Sequence, residues 1–276
     1  MNFRNLVLYL LFGVYLCGCV QSPPAEEEKA VIDGWIDSDG YPVVIFTSSI
    51  VPGKNNSDLA EKIIRWGVVT ISDGENSIIM TGDPAEDYFP PYRYVTFKMK
   101  GEPGKTYHIT ADYQNYHAEA RCMMPNPTPI KEIKLYDVEN SDSLRSAELR
   151  FVTPTDVPAY YYITMRNQGE SGRFMPTMLG TYKATEPGVE VAVPVLHPKN
   201  QLTDSFSSQL KIGEKVEISL CRITPEVYAF WNSYDNAVLF GGTQFFSSTQ
   251  SLPGNIQGGY GIWSAQGVDT MLLDVE

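Results

Sequence analysis

The three histidines, His108, His117 and His197, are the side chains best suited to proton transfer or metal ligation near neutral pH. His108 and His117 fall on two neighbouring strand patterns, Lys105–Tyr113 and Tyr116–Cys122. With the turn at Tyr113–Tyr116, His117 sits opposite Asp112 and His108 opposite Arg121. That register does not pair the two imidazoles, so no shared metal is expected. Acidic groups are abundant, 33 against 21 basic ones, and at that density neighbouring carboxylates arise by chance. A glycosidase needs two at a defined separation, which is a property of the fold. The chain holds no G-x-S-x-G, H-E-x-x-H or P-loop pattern. The residues therefore point to a non-enzymatic protein with no catalytic residues, metal or cofactor.

Aromatic loops are the best ligand-contact candidates. Residues 87–94 read Asp-Tyr-Phe-Pro-Pro-Tyr-Arg-Tyr, a proline-stiffened turn carrying Tyr88, Phe89, Tyr92, Arg93 and Tyr94. Stiff aromatics lose little entropy on binding and stack on sugars, planar chelates or a partner protein. The competing reading has Tyr92 and Tyr94 opening a strand and packing inward. Phe245 and Phe246, with the glycines Gly258, Gly259 and Gly261, make a second candidate region. Glycine there allows unusual backbone angles or close approach, in a turn as readily as in a site.

These residues must be positioned by a mostly β framework. Tyrosine is frequent, with 17 copies, alongside 22 glycines and 19 prolines, a usage suited to short strands joined by turns. Strand patterns at Val31–Ile36 and Pro42–Thr47 flank an Asp-Gly turn, and Gly67–Ser72 and Ser77–Thr81 flank Asp73–Asn76. Ser57 or Asp58 caps a short helical turn through Ile63 and Ile64. Tyr92–Lys100 and the histidine-bearing hairpin complete seven strands, which read as an immunoglobulin-like β-sandwich over residues 30–122. Three alternating prolines then mark a linker at 123–129. Beyond it, residues 130–276 form a second β-rich region, with strand patterns at Ile130–Val138, Ala147–Thr153, Ala159–Arg166, Val189–Leu196 and Val216–Ile223. One helix is expected near 225–240. Thr224 and Pro225 suit its start, Val227, Phe230, Trp231, Tyr234 and Val238 recur at helical spacing, and Gly241-Gly242 stops it. The aromatic stripe reads as a core face.

The N-terminus carries an address. After Arg4 an apolar run, LVLYLLFGVYL, is too short to span a bilayer. It fits a secretory signal and ends in Leu16-Cys17-Gly18-Cys19, which resembles the bacterial lipobox. Residues 1–18 are then a signal peptide and Cys19 the lipidated terminus. A proline-containing tether follows through residue 29. Its run Glu26-Glu27-Glu28 resembles a surface-export signal. A formal net charge of −12 disfavours nucleic acid and anionic headgroups as partners. Cys122 and Cys221 are either a disulfide or two isolated buried thiols.

Three stretches carry a family resemblance: VIDGWIDSDGYPVVIFTSS, GEPGKTYHITADYQNYHAEARCMMPNPTPI and LPGNIQGGYGIWS. In order and spacing the chain resembles the DUF4249 family of Bacteroidota lipoproteins. Cys122 departs from the small or hydroxyl residue usual there. The resemblance implies a secreted, lipidated β protein of the outer membrane and a TonB-dependent transporter as partner in ligand capture or uptake; the acidic run adds the expectation of exposure at the cell surface. It supplies no catalytic residues. An adhesin-like or structural protein, with Met271–Val275 as a donor strand, is the first alternative. A glycan- or peptide-acting hydrolase is the second. The ligand's identity is not written in any of these patterns.

Overall fold

The computed structural model describes residues 28–49, 59–86, 88, 90–169, 172–198, 208–240 and 252–276. The fold is mostly β with a single α-helix among the described residues. Strands β1 (Ala30–Asp37) and β2 (Val43–Ser48) pair antiparallel, and β6 (Tyr92–Val95) and β5 (Thr81–Pro84) extend their sheet. A facing sheet runs in the order β4 (Ser77–Ile79), β3 (Val68–Ser72), β7 (Thr106–Tyr113), β8 (Tyr116–Met123). Alternation decides which side chains meet between them. Ile32, Ile36 and Phe46 from one sheet and Ile71, Tyr107 and Ile109 from the other are buried in one core.

Local turn chemistry acts as the residues suggest. Asp73 Oδ1 accepts from the backbone N–H of Glu75 at 3.1 Å and of Asn76 at 2.7 Å, while Gly74 takes φ +92°. The β7–β8 register pairs His117 with Asp112 and His108 with Arg121, as the hairpin pattern predicts. The sixth strand is shorter than its pattern, because pairing with β2 and β5 ends at Val95. Leu59–Lys62 form a 3₁₀ turn just before Ile63 and Ile64.

A second pair of sheets follows the prolines. In one, β10 (Ser141–Val152) is flanked by β9 (Ile130–Val138) on one edge and by β14 (Glu190–Val195) and β15 (Leu210–Lys211) on the other. The other joins β11 (Ala159–Asn167) to β16 (Lys215–Ile223), with the short strands β12 (Met175–Pro176) and β13 (Tyr182–Ala184) on the outer edge of β11. Leu149, Phe151, Tyr161, Ile163, Ile218 and Leu220 fill a second core between them. Helix α1 (Pro225–Phe240) leaves the end of β16. Its first turn is closed by Tyr228 N–H donating to Thr224 O at 2.9 Å. Val227 and Trp231 of its stripe are buried against the first core.

One strand serves both pairs of sheets. In β17 (Gly259–Asp274), residues Gly259–Gln266 pair in parallel with β1, whereas Gly267–Asp274 pair antiparallel with β16. Ile262, Trp263 and Ala265, which lie beyond the proline-rich stretch in sequence, are therefore buried in the first core. Gly34 makes room for the fully buried Trp263 ring, since a Cβ there would meet Trp263 Cε3 at 2.9 Å. Asn255 stands in for a neighbouring strand: its side-chain amide donates to Trp263 O at 2.8 Å and accepts from Trp263 N–H at 2.9 Å.

Candidate functional site

Pairing β1, β17, β16 and β11 side by side lays alternate side chains along one face of a continuous sheet. Asp33, Trp35 and Asp37 alternate on β1 with the core residues Ile32, Gly34 and Ile36. Asp37 stands beside Gln266, Cys221 beside Val268, and Ser219 beside Thr270. Tyr162 and Thr164 of β11 continue the last two rows. All of these except Asp33 and the core isoleucines line the floor of a cleft of about 290 Å³. Trp231 of α1 borders it, as do Tyr88, Arg173 and Phe174. The volume is at the small end of ligand-sized cavities.

The floor is polar and its bonds are fixed. Gln266 is buried and has its amide orientation set by three partners. Its Nε2 donates to Asp37 Oδ1 at 2.5 Å, while its Oε1 accepts from Tyr162 O–H at 2.6 Å and Ser264 Oγ–H at 3.1 Å. Ser219 Oγ and Thr270 Oγ1 are 2.8 Å apart. Burial pushes the Asp37 carboxyl up to about 6, against the lowering effects of the Gln266 hydrogen bond and the Arg173 charge. The Tyr162 hydroxyl and Cys221 thiol are also raised, chiefly by burial. A raised thiol in a desolvated place is a poor nucleophile.

The walls are aromatic and cationic. Arg173 bonds Asp33 with both arms, the second at 3.0 Å, and its guanidinium lies 4.4 Å from the Trp35 ring centre. Trp35 runs parallel to Tyr88 with 6.3 Å between ring centres, and Arg93 stands 4.5 Å from the Tyr88 ring. Arg166 donates to Glu217 at 2.5 Å and stands 4.2 Å from the Phe174 ring. Tyr162 and Trp231 stack at 5.3 Å. Trp231 Nε1 is buried and has no hydrogen-bond partner among the described residues.

The aromatic turn divides between site and core. Tyr88 lines the cleft and Arg93 braces it, held in turn by Asp83 at 2.9 Å. Tyr94 is 2% exposed; its hydroxyl donates to Ile64 O at 2.8 Å and accepts from Gly67 N–H at 3.0 Å. Tyr92 donates to Arg65 O and packs edge-on against Tyr94. These two tyrosines pack inward. Phe89, Phe245, Phe246 and the lipidation candidate Cys19 lie outside the described residues. Gly259 and Gly261 belong to β17, where each closely approaches β1. A Cβ on Gly258 would meet His117 O instead.

The remaining candidates stand apart. His108 contacts Glu119 at 3.2 Å, His117 contacts Asp112 at 2.6 Å and His197 contacts Glu214 at 3.0 Å, each a separate pair. Cys122 and Cys221 are both free and buried. Cys122 belongs to the first core and Cys221 borders the cleft. Just before β1, Glu28 accepts from Lys62 Nζ at 3.0 Å and from Tyr116 O–H at 3.4 Å, so its carboxylate is fastened to the β framework.

Sequence inspection alone did not single out Asp33, Trp35, Asp37, Arg173 or Gln266. The signal for the first three is the period-2 pattern of Val31–Asp37, which puts two acids and a tryptophan on the face opposite the isoleucines. Arg173 and Gln266 carry no comparable local signal. No curated protein gives a significant match to the chain. The model of a domain of unknown function, DUF4249, matches residues 20–271, and the chain belongs to that family.

Proposed function

We propose that this chain is a non-enzymatic, lipid-anchored protein of the bacterial cell surface. It captures a small ligand in the junction cleft and passes it to a TonB-dependent transporter of the outer membrane. The cleft carries this reading: it combines a desolvated polar floor with aromatic walls. The lipobox-like Leu16–Cys19 and the tether behind it supply the anchor. In the same reading the first pair of facing sheets is immunoglobulin-like, supported by its short antiparallel strands around one core.

The adhesin-like alternative needs a donor strand near the C-terminus. Met271–Leu273 are already paired with β16 of the same chain, which weighs against it.

Affinity capture of the tagged full-length protein from gently solubilised outer membranes, with mass spectrometry of what is recovered, tests the proposal. A TonB-dependent barrel recovered in near-equal amount is the expected result. Repeated recovery of the lipoprotein alone would overturn the transporter partnership.

A further inference from the structure

The charges around the cleft do not cancel evenly. Arg173 is committed to Asp33 through both arms, and Arg166 to Glu217. Each guanidinium also lies over an aromatic ring, Trp35 for Arg173 and Phe174 for Arg166. Asp37 has a different environment. Its one hydrogen-bonded oxygen, Oδ1, is held by the neutral Gln266 amide, and it forms no ion pair among the described residues. Among the described residues, Arg173 with Asp33 and Arg166 with Glu217 balance pairwise, so Asp37 leaves one negative charge in excess at the cleft.

What surrounds that carboxylate favours positive charge. Trp35, Tyr88, Tyr162 and Trp231 all border the cleft; aromatic faces are electron-rich, and those of Trp35 and Tyr88 already hold the cations of Arg173 and Arg93. The chain as a whole is strongly acidic, which raises the local concentration of cations and repels anions. The volume suits a ligand of one ring and a short arm.

We propose that the cleft binds small organic cations, with an ammonium group against the Asp37 carboxylate and the apolar body against the rings of Trp35, Tyr88 and Tyr162. The proposal rests on the cleft being a ligand seat, and it names the class of ligand. Asp37 acts as the charge partner. Gln266 is a positioning residue, because it orients the carboxylate through Oδ1.

The test uses three probes of matched shape and different charge: 2-phenylethylamine, 2-phenylethanol and 3-phenylpropanoate. Each is titrated at pH 8 into the folded chain lacking residues 1–18 with Cys19→Ser, by calorimetry and by indole fluorescence, since Trp35 and Trp231 border the cleft. The amine is expected to bind at least about tenfold tighter than the alcohol, and the carboxylate weakest. Asp37→Asn is expected to abolish the preference for the amine while the far-ultraviolet circular dichroism stays unchanged. The wild-type probe series stands even if that variant fails to fold. Equal or tighter binding of the alcohol or the carboxylate would overturn the ligand class and leave the seat in place. A preference for the amine that survives in folded Asp37→Asn would overturn the role of Asp37. Silence toward all three probes at millimolar concentration would remove the seat itself, and the proposal with it.

Discussion

Gln266 and Asp37 stand side by side in the parallel pairing of β17 with β1, and Gln266 Nε2 donates to Asp37 Oδ1 at 2.5 Å. The two residues are 229 positions apart in the chain. Through its Oε1 the same amide takes up Tyr162 and Ser264, so one side chain ties three strands together at the floor of the cleft. Gln266→Ala removes all three bonds and leaves buried groups without partners. We expect a loss of about 2–4 kcal/mol, read in urea unfolding as a lower midpoint with an unchanged slope. Gln266→Glu is the sharper test. It sets a second carboxylate against Asp37, so its loss of stability should be larger at pH 8 than at pH 5.

Asp37 itself should make stability depend on pH. Its folded value is raised to about 6 from 3.8, so the folded state binds the proton more tightly than the unfolded chain. Its contribution is therefore present below about pH 4, declines as pH rises to about 6, and is absent above that. Asp235, also raised to about 6 by burial, acts in the same direction. Asp73 and Asp156 are lowered, by the Asn76 backbone N–H and by Arg222 respectively, and stabilise in the opposite sense, losing their effect on acidification. Asp37→Asn should raise stability at pH 8 by on the order of 1–3 kcal/mol and leave it nearly unchanged near pH 4. Denaturation midpoints of both proteins across that range check it, and a constant difference would contradict the desolvation argument.

Arg173 holds Asp33 while covering Trp35. Because the pair keeps contact with solvent, Arg173→Met should cost only about 0.5–1.5 kcal/mol. The same change should alter the emission of Trp35, which loses its cation. Arg173→Lys should recover little of either effect, since an ammonium lacks the two-armed geometry. Full recovery of stability and emission by lysine would show that charge alone is required.

Gly267 is the residue at which β17 changes partners, and the proline-rich linker lies directly against it. A Cβ there would sit 2.4 Å from Pro125 O and 2.6 Å from Pro127 N. Both are backbone atoms, so the linker must move to accept it. Gly267→Ala should destabilise by about 2–4 kcal/mol. At Gly74, where nothing lies within 4 Å but φ is +92°, alanine should cost only about 1 kcal/mol. Thermal unfolding of the two variants separates crowding from backbone strain, and equal shifts would argue against the packed linker.

The two thiols offer a simple probe of the first core, to which both belong. Cys122 and Cys221 are buried and raised by desolvation. A water-soluble thiol reagent should react with neither in the native protein and with both after unfolding. Rapid native reaction at one of them would mean that its surroundings open readily.

Much of this fold is legible in short stretches. The Asp73–Asn76 turn, the β7–β8 register and the helix over Pro225–Phe240 each depend on contacts within about a dozen residues. Propensity, capping and alternation act over that range. The inward reading of Tyr92 and Tyr94 was one of two that the residues allowed, and the backbone groups that satisfy the Tyr94 hydroxyl, Ile64 O as acceptor and Gly67 N–H as donor, selected it. Tyr88, from the same turn, reaches the cleft instead.

By itself, then, the sequence determined the β character, the local turns, the helix and the two faces of each strand. Period-2 alternation put Asp33, Trp35 and Asp37 together on one face of β1. It could not say what that face meets, because strand pairing is made through uniform backbone groups that carry no local label. Tertiary structure alone decided that β17 lies beside β1 over its first half and beside β16 over its second. That decision brings Gln266 to Asp37 and Tyr162. It also creates the cleft, since joining β11, β16, β17 and β1 through one shared strand makes a continuous sheet face whose polar side chains form the floor.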